Sequence, residues 1–180
     1  HAVKQAGDVA GRTVLVTGAG PIGALAVASA KALGASHVYA ADLSQTALSI
    51  ATAMGADSVI RVGVDELPQD VEVVIEASGS PKSISSIMPA VRRGGTVVQV
   101  GNLPGGEIAV ALGQLVTREI TYRGSYRFVD EISEALELMD GTVDVSPLMT
   151  HEFGIDDAAE AFAVAADRAS GSSKVMLKLS

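Results

Sequence analysis

The chain has 180 residues, 48% of them hydrophobic, enough for one well-buried core and too apolar for a disordered or fibrous protein. A net charge of −8, with acids and bases mixed and no Lys/Arg run, argues against nucleic acid or an anionic membrane as partner. With no Cys, the residues offer no disulfide framework, thiolate metal site or thiol nucleophile, and the apolar stretch from Ile22 to Leu33 is broken by Ser29 and Lys31 short of a membrane span.

The first four residues, His1-Ala2-Val3-Lys4, show neither an initiator Met nor a basic region leading into an apolar one, so we read no signal peptide. The expectation is a cytoplasmic protein whose chain starts inside a longer one. Only 3% of residues are aromatic while Gly, Ala and Val abound, a balance that suits parallel strands packed closely between helices.

In chain order, Thr13 to Thr17 (TVLVT) reads as a strand that runs straight into a glycine turn. Ile22, Leu25, Ala26, Ser29 and Leu33 then recur at helical spacing, with Pro21 in the first turn and Gly34 as the stop. His37 to Ala41 is a second strand ending in Asp42. A helix from near Ser44 to Met54 and a weak strand over Val59 to Val62 follow. Val71 to Ile75 (VEVVI) is a strand closed by Glu76-Ala77-Ser78-Gly79. A helix from Pro81 is predicted through Ile84, Ile87 and Val91, with Gly94-Gly95 resetting the chain for a strand at Thr96 to Val100.

Beyond it we expect a short edge strand at Glu107 to Val110, a strand at Ile120 to Tyr122, and a helix capped by Asp130 and ending at Gly141. The last stretch reads as an extended segment at Leu148 to Phe153, a helix stapled by Ile155 and capped by Asp156 or Asp157, and a strand at Lys174 to Leu179. The alternation of strands and helices predicts right-handed crossovers and one doubly wound parallel sheet, an α/β Rossmann fold.

The chemistry is concentrated at the ends of the strands. Gly18, Gly20 and Gly23 form G-x-G-x-x-G directly after a strand and opening a helix, the context that makes this motif specific for a dinucleotide. Gly18 permits the tight turn, Gly20 the approach of the pyrophosphate, and Gly23 the packing of helix on sheet. Asp42, 19 residues past Gly23, ends the second strand where a carboxylate can accept from ribose hydroxyls, and its charge favours NAD over NADP.

Ser78 and Gly79, then Val100, Gly101, Asn102 and Leu103, end the next strands on the same edge and are candidates for the nicotinamide side. Arg127, between Tyr126 and Phe128, is the candidate for binding a substrate carboxylate. His1, His37 and His151 have no metal spacing and read as structural. Asp57, Asp65, Glu66, Asp70 and Glu72 read as solvated loop acids, and Met88, Met139 and Met176 as core. No catalytic residue and no metal ligand is expected in these 180 residues.

Thr17-Gly18-Ala19-Gly20-Pro21-Ile22-Gly23, Lys31 to Ala35, Ala41-Asp42-Leu43-Ser44, Glu76 to Gly79, Val100-Gly101 and Pro147 to Phe153 resemble the medium-chain, zinc-containing alcohol dehydrogenase superfamily over the whole chain. Within it the sequence is similar to the sorbitol dehydrogenase branch, and Gly124 to Phe128 to L-idonate 5-dehydrogenases. An Arg that family members commonly carry after the ribose-binding Asp is replaced here by the stretch Gln45-Thr46-Ala47.

The resemblance implies NAD as cofactor and, in a full-length enzyme, a zinc ion held by a GroES-like domain whose ligands lie outside this chain. It implies a homodimer or homotetramer that oxidises a secondary alcohol of a sugar acid or polyol, with L-idonate to 5-keto-gluconate the reaction suggested. Sorbitol and L-threonine dehydrogenases are alternatives. Residues 1–145 are expected to form the NAD-binding domain, and residues 146–180 a C-terminal segment belonging to the catalytic domain. The chain by itself is then inactive, with an apolar face at Val175, Leu177 and Leu179 left mobile or seeking a partner. A non-catalytic NAD-binding regulatory module and an S-adenosylmethionine methyltransferase are the competing classes.

Overall fold

A computed structural model describes residues 1–167 and 169–179 of the chain. A short helix α1 (Ala2–Gln5) precedes β1 (Thr13–Thr17), α2 (Pro21–Ala32), β2 (His37–Asp42), α3 (Gln45–Ala53) and β3 (Ser58–Arg61). The chain then forms β4 (Val71–Glu76), α4 (Pro81–Ile87), β5 (Val91–Gln99), α5 (Gly113–Thr117), β6 (Thr121–Gly124) and α6 (Ile132–Gly141). After a 3-10 turn come β7 (Met149–Gly154), α7 (Ala158–Ala166) and β8 (Lys174–Lys178).

Six strands make a parallel sheet in the order β3-β2-β1-β4-β5-β6. The chain winds outward from β1 to β3 and returns to β4 on the other side of β1, so the strand order reverses between β1 and β4. That reversal opens a crevice at the carboxyl ends of these two strands. The doubly wound Rossmann architecture is the one the sequence predicts.

Helices on both faces explain why the central strands read as continuous apolar runs rather than alternating ones. Val14 and Val16 of β1 and Val73 and Ile75 of β4 pack toward Val27 of α2 and Leu48 of α3. Leu15, Val74 and Val97 face the other way, onto Ile84, Ile87 and Met88. Burying one such side chain contributes roughly 1.5–3 kcal/mol, so the stability of the sheet resides in this double layer.

Several sequence expectations are corrected. The helix from Pro81 stops at Ile87 rather than reaching Val91, because Pro89 has no N–H to continue the ladder. Val91 instead pairs with Val71 and the next register pair is Val73 with Thr96, so residues 92–95 bulge out within β5. Gly94 and Gly95 thus shape a bulge, where a Cβ on Gly95 would come within 2.6 Å of the Val91 side chain.

Glu107 to Val110 forms no strand among the described residues; Val110 packs on the core beneath, and the following Ala111 N–H donates to Ser85 Oγ at 3.0 Å. The outer strand of the sheet is β6. Asp130 does not cap α6; Glu131 stands at that position and its carboxylate reaches back to the N–H groups of Val129 (2.8 Å) and Asp130 (3.1 Å). Of the three methionines assigned to the core, Met88 is buried whereas Met139 and Met176 are exposed. Asp57, Asp65 and Glu72 are not merely solvated: each accepts a backbone N–H, from Val38, Arg61 and Thr13 respectively.

The C-terminal strands β7 and β8 pair in parallel as a separate two-stranded sheet, with α7 as the crossover. Val175 and Leu177 are half-buried, whereas Leu179 is exposed. Just before β7, Leu148 is buried against Ala24 and Ala28 of α2 and Met54 after α3. This plug fastens the segment to the sheet's helical layer.

Asp57 ties β2 to α2, accepting from Val38 N–H at 2.7 Å and from the Lys31 ammonium at 3.0 Å. Partial burial pushes its carboxyl up, but the Val38 N–H and the Lys31 charge outweigh this and hold it below the ordinary carboxylate range. A depressed native pKa gives stabilisation that is complete above the unfolded-state value and lost as pH falls through the native one. Asp57→Ala is expected to cost about 1–3 kcal/mol at neutral pH. Urea denaturation from neutral to acid pH should show the difference from wild type shrinking as the medium becomes acidic.

Candidate functional site: two clefts flanking a glycine turn

The turn between β1 and α2 is built from backbone alone. Gly18 is left-handed (φ +84°), and a Cβ there would stand 2.5 Å from the backbone nitrogen of Ser78. A Cβ on Gly23 would lie 1.7 Å from the Gly18 carbonyl oxygen, so α2 can sit on the turn only without a side chain there. Around Gly20 a Cβ would meet nothing within 4 Å.

Gly20 is the N-cap of α2, no side chain caps it, and Pro21 occupies the first turn. The helix therefore presents uncapped N–H groups and its positive dipole end to open space, which fits a diphosphate. Gly18 and Gly23 thus make the tight turn and the close helix packing, and Gly20 leaves open space at the helix N-terminus.

On one side of the turn lies a cleft of about 480 Å³ lined by Thr17, Gly18, Asp42, Ser78, Ser80 and Lys82, with Val62 and Leu67 as apolar wall. Asp42 accepts from Ala19 N–H at 2.7 Å and from Ser44 N–H at 2.8 Å, one on each oxygen. A carboxylate offers about four acceptor positions, so two remain for hydroxyl donors. Asp65 also lines this cleft, giving two carboxylates against the single ammonium of Lys82.

On the other side is a cleft of about 500 Å³ bounded by Ile22, Ala77, Val100, Gly101, Asn102, Tyr126 and Arg127. A smaller hollow of about 310 Å³ adjoins it along Val100 to Leu103. Arg127 is left-handed (φ +55°), and its guanidinium carbon stands 5.2 Å from the Tyr126 ring centroid, a cation–π distance.

The structure thus brings the nominated residues to one edge. Gly18, Asp42 and Ser78 line the first cleft, and Ile22, Val100, Gly101, Asn102 and Arg127 the second. Leu103 borders the adjoining hollow. Gly20, Pro21, Gly23 and Gly79 form the backbone between them. His37 and His151 are engaged with Ser58 and Thr150, whereas His1, paired with Glu131, lines the second cleft beside Tyr126 and Arg127. Among the described residues, no group of three His, Cys, Asp or Glu could hold a metal ion.

Sequence reasoning missed the wall of the first cleft, from Val62 to Leu67, because that loop carries no motif. It also missed Glu76, read only as the end of a strand. The available signal was an acid inside the apolar run VEVVIE, at a position facing neither loop nor solvent.

Comparison with known proteins decides the lineage. The profile of the family described as zinc-binding dehydrogenase matches residues 21–141. The chain belongs to the zinc-binding dehydrogenase family. It is 35% identical over 175 residues to L-idonate 5-dehydrogenase (NAD(P)(+)) of Escherichia coli, covering 93% of this chain and 51% of that protein. It is 38% identical to sorbitol dehydrogenase of Bos taurus, covering 90% of the chain and 49% of the relative.

A crystal structure of L-idonate 5-dehydrogenase from Escherichia coli superposes with a TM-score of 0.93 at 34% identity, covering 99% of this chain and 53% of that one. The chain spans about half the length of the relatives it matches. Within this zinc-binding dehydrogenase unit the glycine turn is the tightest point of packing. Gly23→Ala is expected to destabilise the fold by about 1–3 kcal/mol, as overpacking does. Thermal denaturation would check it, and an unchanged Tm would show that the turn can yield.

Proposed function

We propose that the chain is the coenzyme-binding part of a zinc-dependent, NAD-linked dehydrogenase that oxidises a secondary alcohol of a sugar acid or polyol. The observation that carries this reading is the pair of clefts on either side of an uncapped helix N-terminus, one bearing Asp42 and the other Gly101 and Asn102. Residues 1–145 form the NAD-binding domain in this reading, and residues 146–180 belong to the catalytic unit. L-Idonate, converted to 5-keto-gluconate, is the substrate we favour, with sorbitol-type and threonine-type substrates as alternatives.

In this assignment Asp42 accepts from the adenosine ribose, the N-terminus of α2 holds the pyrophosphate, and Ser78 and Gly79 border the second ribose. Val100, Gly101, Asn102 and Leu103 form the floor for the nicotinamide. Bound there, the nicotinamide would take a hydride directly from the carbinol carbon of the substrate. Ile22, Ala77 and Val100 give that end an apolar wall that keeps water from the reacting face.

Arg127 borders the same cleft, where a guanidinium can engage a substrate carboxylate in bidentate fashion; its stacking on Tyr126 orients it for that role. In this reading the family's zinc is held by a part of the enzyme outside this chain; among the described residues no three His, Cys, Asp or Glu are grouped to hold it. We further propose a cytoplasmic homodimer or homotetramer, with the outer strand β6 as the assembly edge in place of the Glu107 to Val110 segment. An NAD-binding regulatory module is the second reading: the ionisable side chains lining the first cleft are the ligand-facing Asp42, Asp65 and Lys82, and His1, which lines the second, is held by Glu131.

NAD is preferred over NADP because the first cleft opposes two carboxylates to one ammonium. The chain is expected to bind NADH at least tenfold more tightly than NADPH, roughly 1.4 kcal/mol, in a fluorescence titration. Asp42→Ala should narrow that gap by weakening NADH, since it removes both the ribose acceptor and the anchor of Ala19 N–H. Equal affinities for the two cofactors in the wild-type chain would refute the assignment of Asp42.

A further inference from the structure

Glu76 is the one fully buried charged side chain among the described residues, and no Lys, Arg or His lies within ion-pair distance of it there. Its two oxygens are surrounded by donors. Oε1 accepts from Ser78 N–H at 3.0 Å, from the Ser78 hydroxyl, and from the Thr17 hydroxyl at 3.5 Å. Oε2 accepts from Gly79 N–H at 3.1 Å and from the Gln99 amide at 2.6 Å. A buried charge left this way costs several kcal/mol unless each lone pair is met, so its retention at the end of an otherwise apolar strand calls for a role.

We propose that Glu76 is a positioning residue that holds the Ser78–Gly79 turn and the Gly101–Asn102 turn as one shelf beneath the nicotinamide half of the cofactor. The proposal rests on the dinucleotide reading above. The two turns meet backbone to backbone: a Cβ on Gly79 would stand 2.3 Å from the Asn102 carbonyl oxygen, and one on Gly101 would stand 2.1 Å from Gly79 N. With no side chains between them, neither turn shifts without the other.

Glu76 fixes the first turn directly and the second through Gln99. The Gln99 amide nitrogen donates both to Glu76 and to the Gly101 carbonyl at 2.7 Å, and because both partners only accept, its orientation is determined. Its oxygen accepts from the Tyr122 hydroxyl at 2.7 Å. Burial, and then the charge of Glu76, push the Tyr122 pKa up, so the hydroxyl keeps the proton it donates. The relay from Tyr122 through Gln99 to Glu76 crosses the carboxyl ends of β6, β5 and β4, below the line dividing the two clefts.

In Glu76→Gln the new NH₂ must face either the Ser78 N–H or the Gly79 and Gln99 donors, and one side of the shelf is released. Rotating Gln99 to relieve the clash would break its bond to the Gly101 carbonyl, which can only accept, and would reverse the one to Tyr122. A buried acid that served only folding would affect the two clefts alike; Thr17 and Ser78 also line the first cleft, but the Gly101–Asn102 turn latched through Gln99 lies on the nicotinamide side, so a positioning residue weakens that end most.

The test titrates the 180-residue chain with NADH, followed by nicotinamide fluorescence, and with AMP, which occupies only the adenosine end, followed by calorimetry. For Glu76→Gln the expected result is NADH affinity reduced at least tenfold with a weakened fluorescence enhancement, and AMP affinity within twofold of wild type. Gln99→Met, which cuts the latch to Gly101 and leaves the Ser78 and Gly79 donors in place, is expected to show the same split, and it decides the matter should Glu76→Gln not fold. NADH affinity unchanged, or NADH and AMP affinities lowered in parallel, would overturn the proposal alone. A wild-type chain that binds AMP but not NADH would overturn the dinucleotide reading, and the proposal with it.

Discussion

The structure depends on backbone meeting backbone without intervening side chains at the carboxyl ends of β1, β4 and β5. Gly23 lies on the Gly18 carbonyl, Gly18 on Ser78, and Gly79 on Asn102, each closer than any Cβ would allow. This contact places three turns in one continuous surface and directs the N-terminus of α2 into the space above it. The doubly wound topology supplies the gap; the glycines decide how closely a ligand can approach its floor.

Around that surface the polar groups are divided by function. Asp42 is tied by two backbone N–H groups yet keeps acceptor capacity toward the first cleft, so it links the turn to β2 while still able to bind a ligand. Glu76, by contrast, has all its capacity occupied by the protein and faces no cleft. In the proposed assignment the first acid reads the ligand, and the second keeps the surface on which the ligand would lie. The surrounding apolar layers, anchored by Val14, Val73 and Ile75 on one face and Leu15 and Val74 on the other, provide the rigidity that makes such division effective.

Most of the sheet was legible in the sequence because buried parallel strands are written as short β-branched runs. Thr13–Thr17 has the expected bounds, and the strand ending in Asp42 follows the reading closely. The errors have a common cause, since they fall where tertiary pairing overrides local pattern. Val91 has a helix-compatible spacing after Ile84 and Ile87, yet its pairing with Val71 draws it into β5. Glu131 stands in place of Asp130 at the start of α6, where its carboxylate meets His1 from the far end of the sequence. At the site, the glycine fingerprint and Asp42 were readable because their chemistry is local. The Glu76–Gln99–Tyr122 relay was not, since its members lie 23 residues apart at each step and meet only through strand register.

The central claim is that one dinucleotide spans both clefts across the glycine turn. Amide chemical-shift mapping of the isotopically labelled chain on titration with NAD⁺ tests it most directly. Saturable shifts are expected at Gly18, Gly20 and Ser44 together with Ala77, Gly101 and Asn102, all titrating with a single dissociation constant. Shifts confined to one cleft, shifts centred instead on the β7–β8 pair, or no saturable response would contradict it.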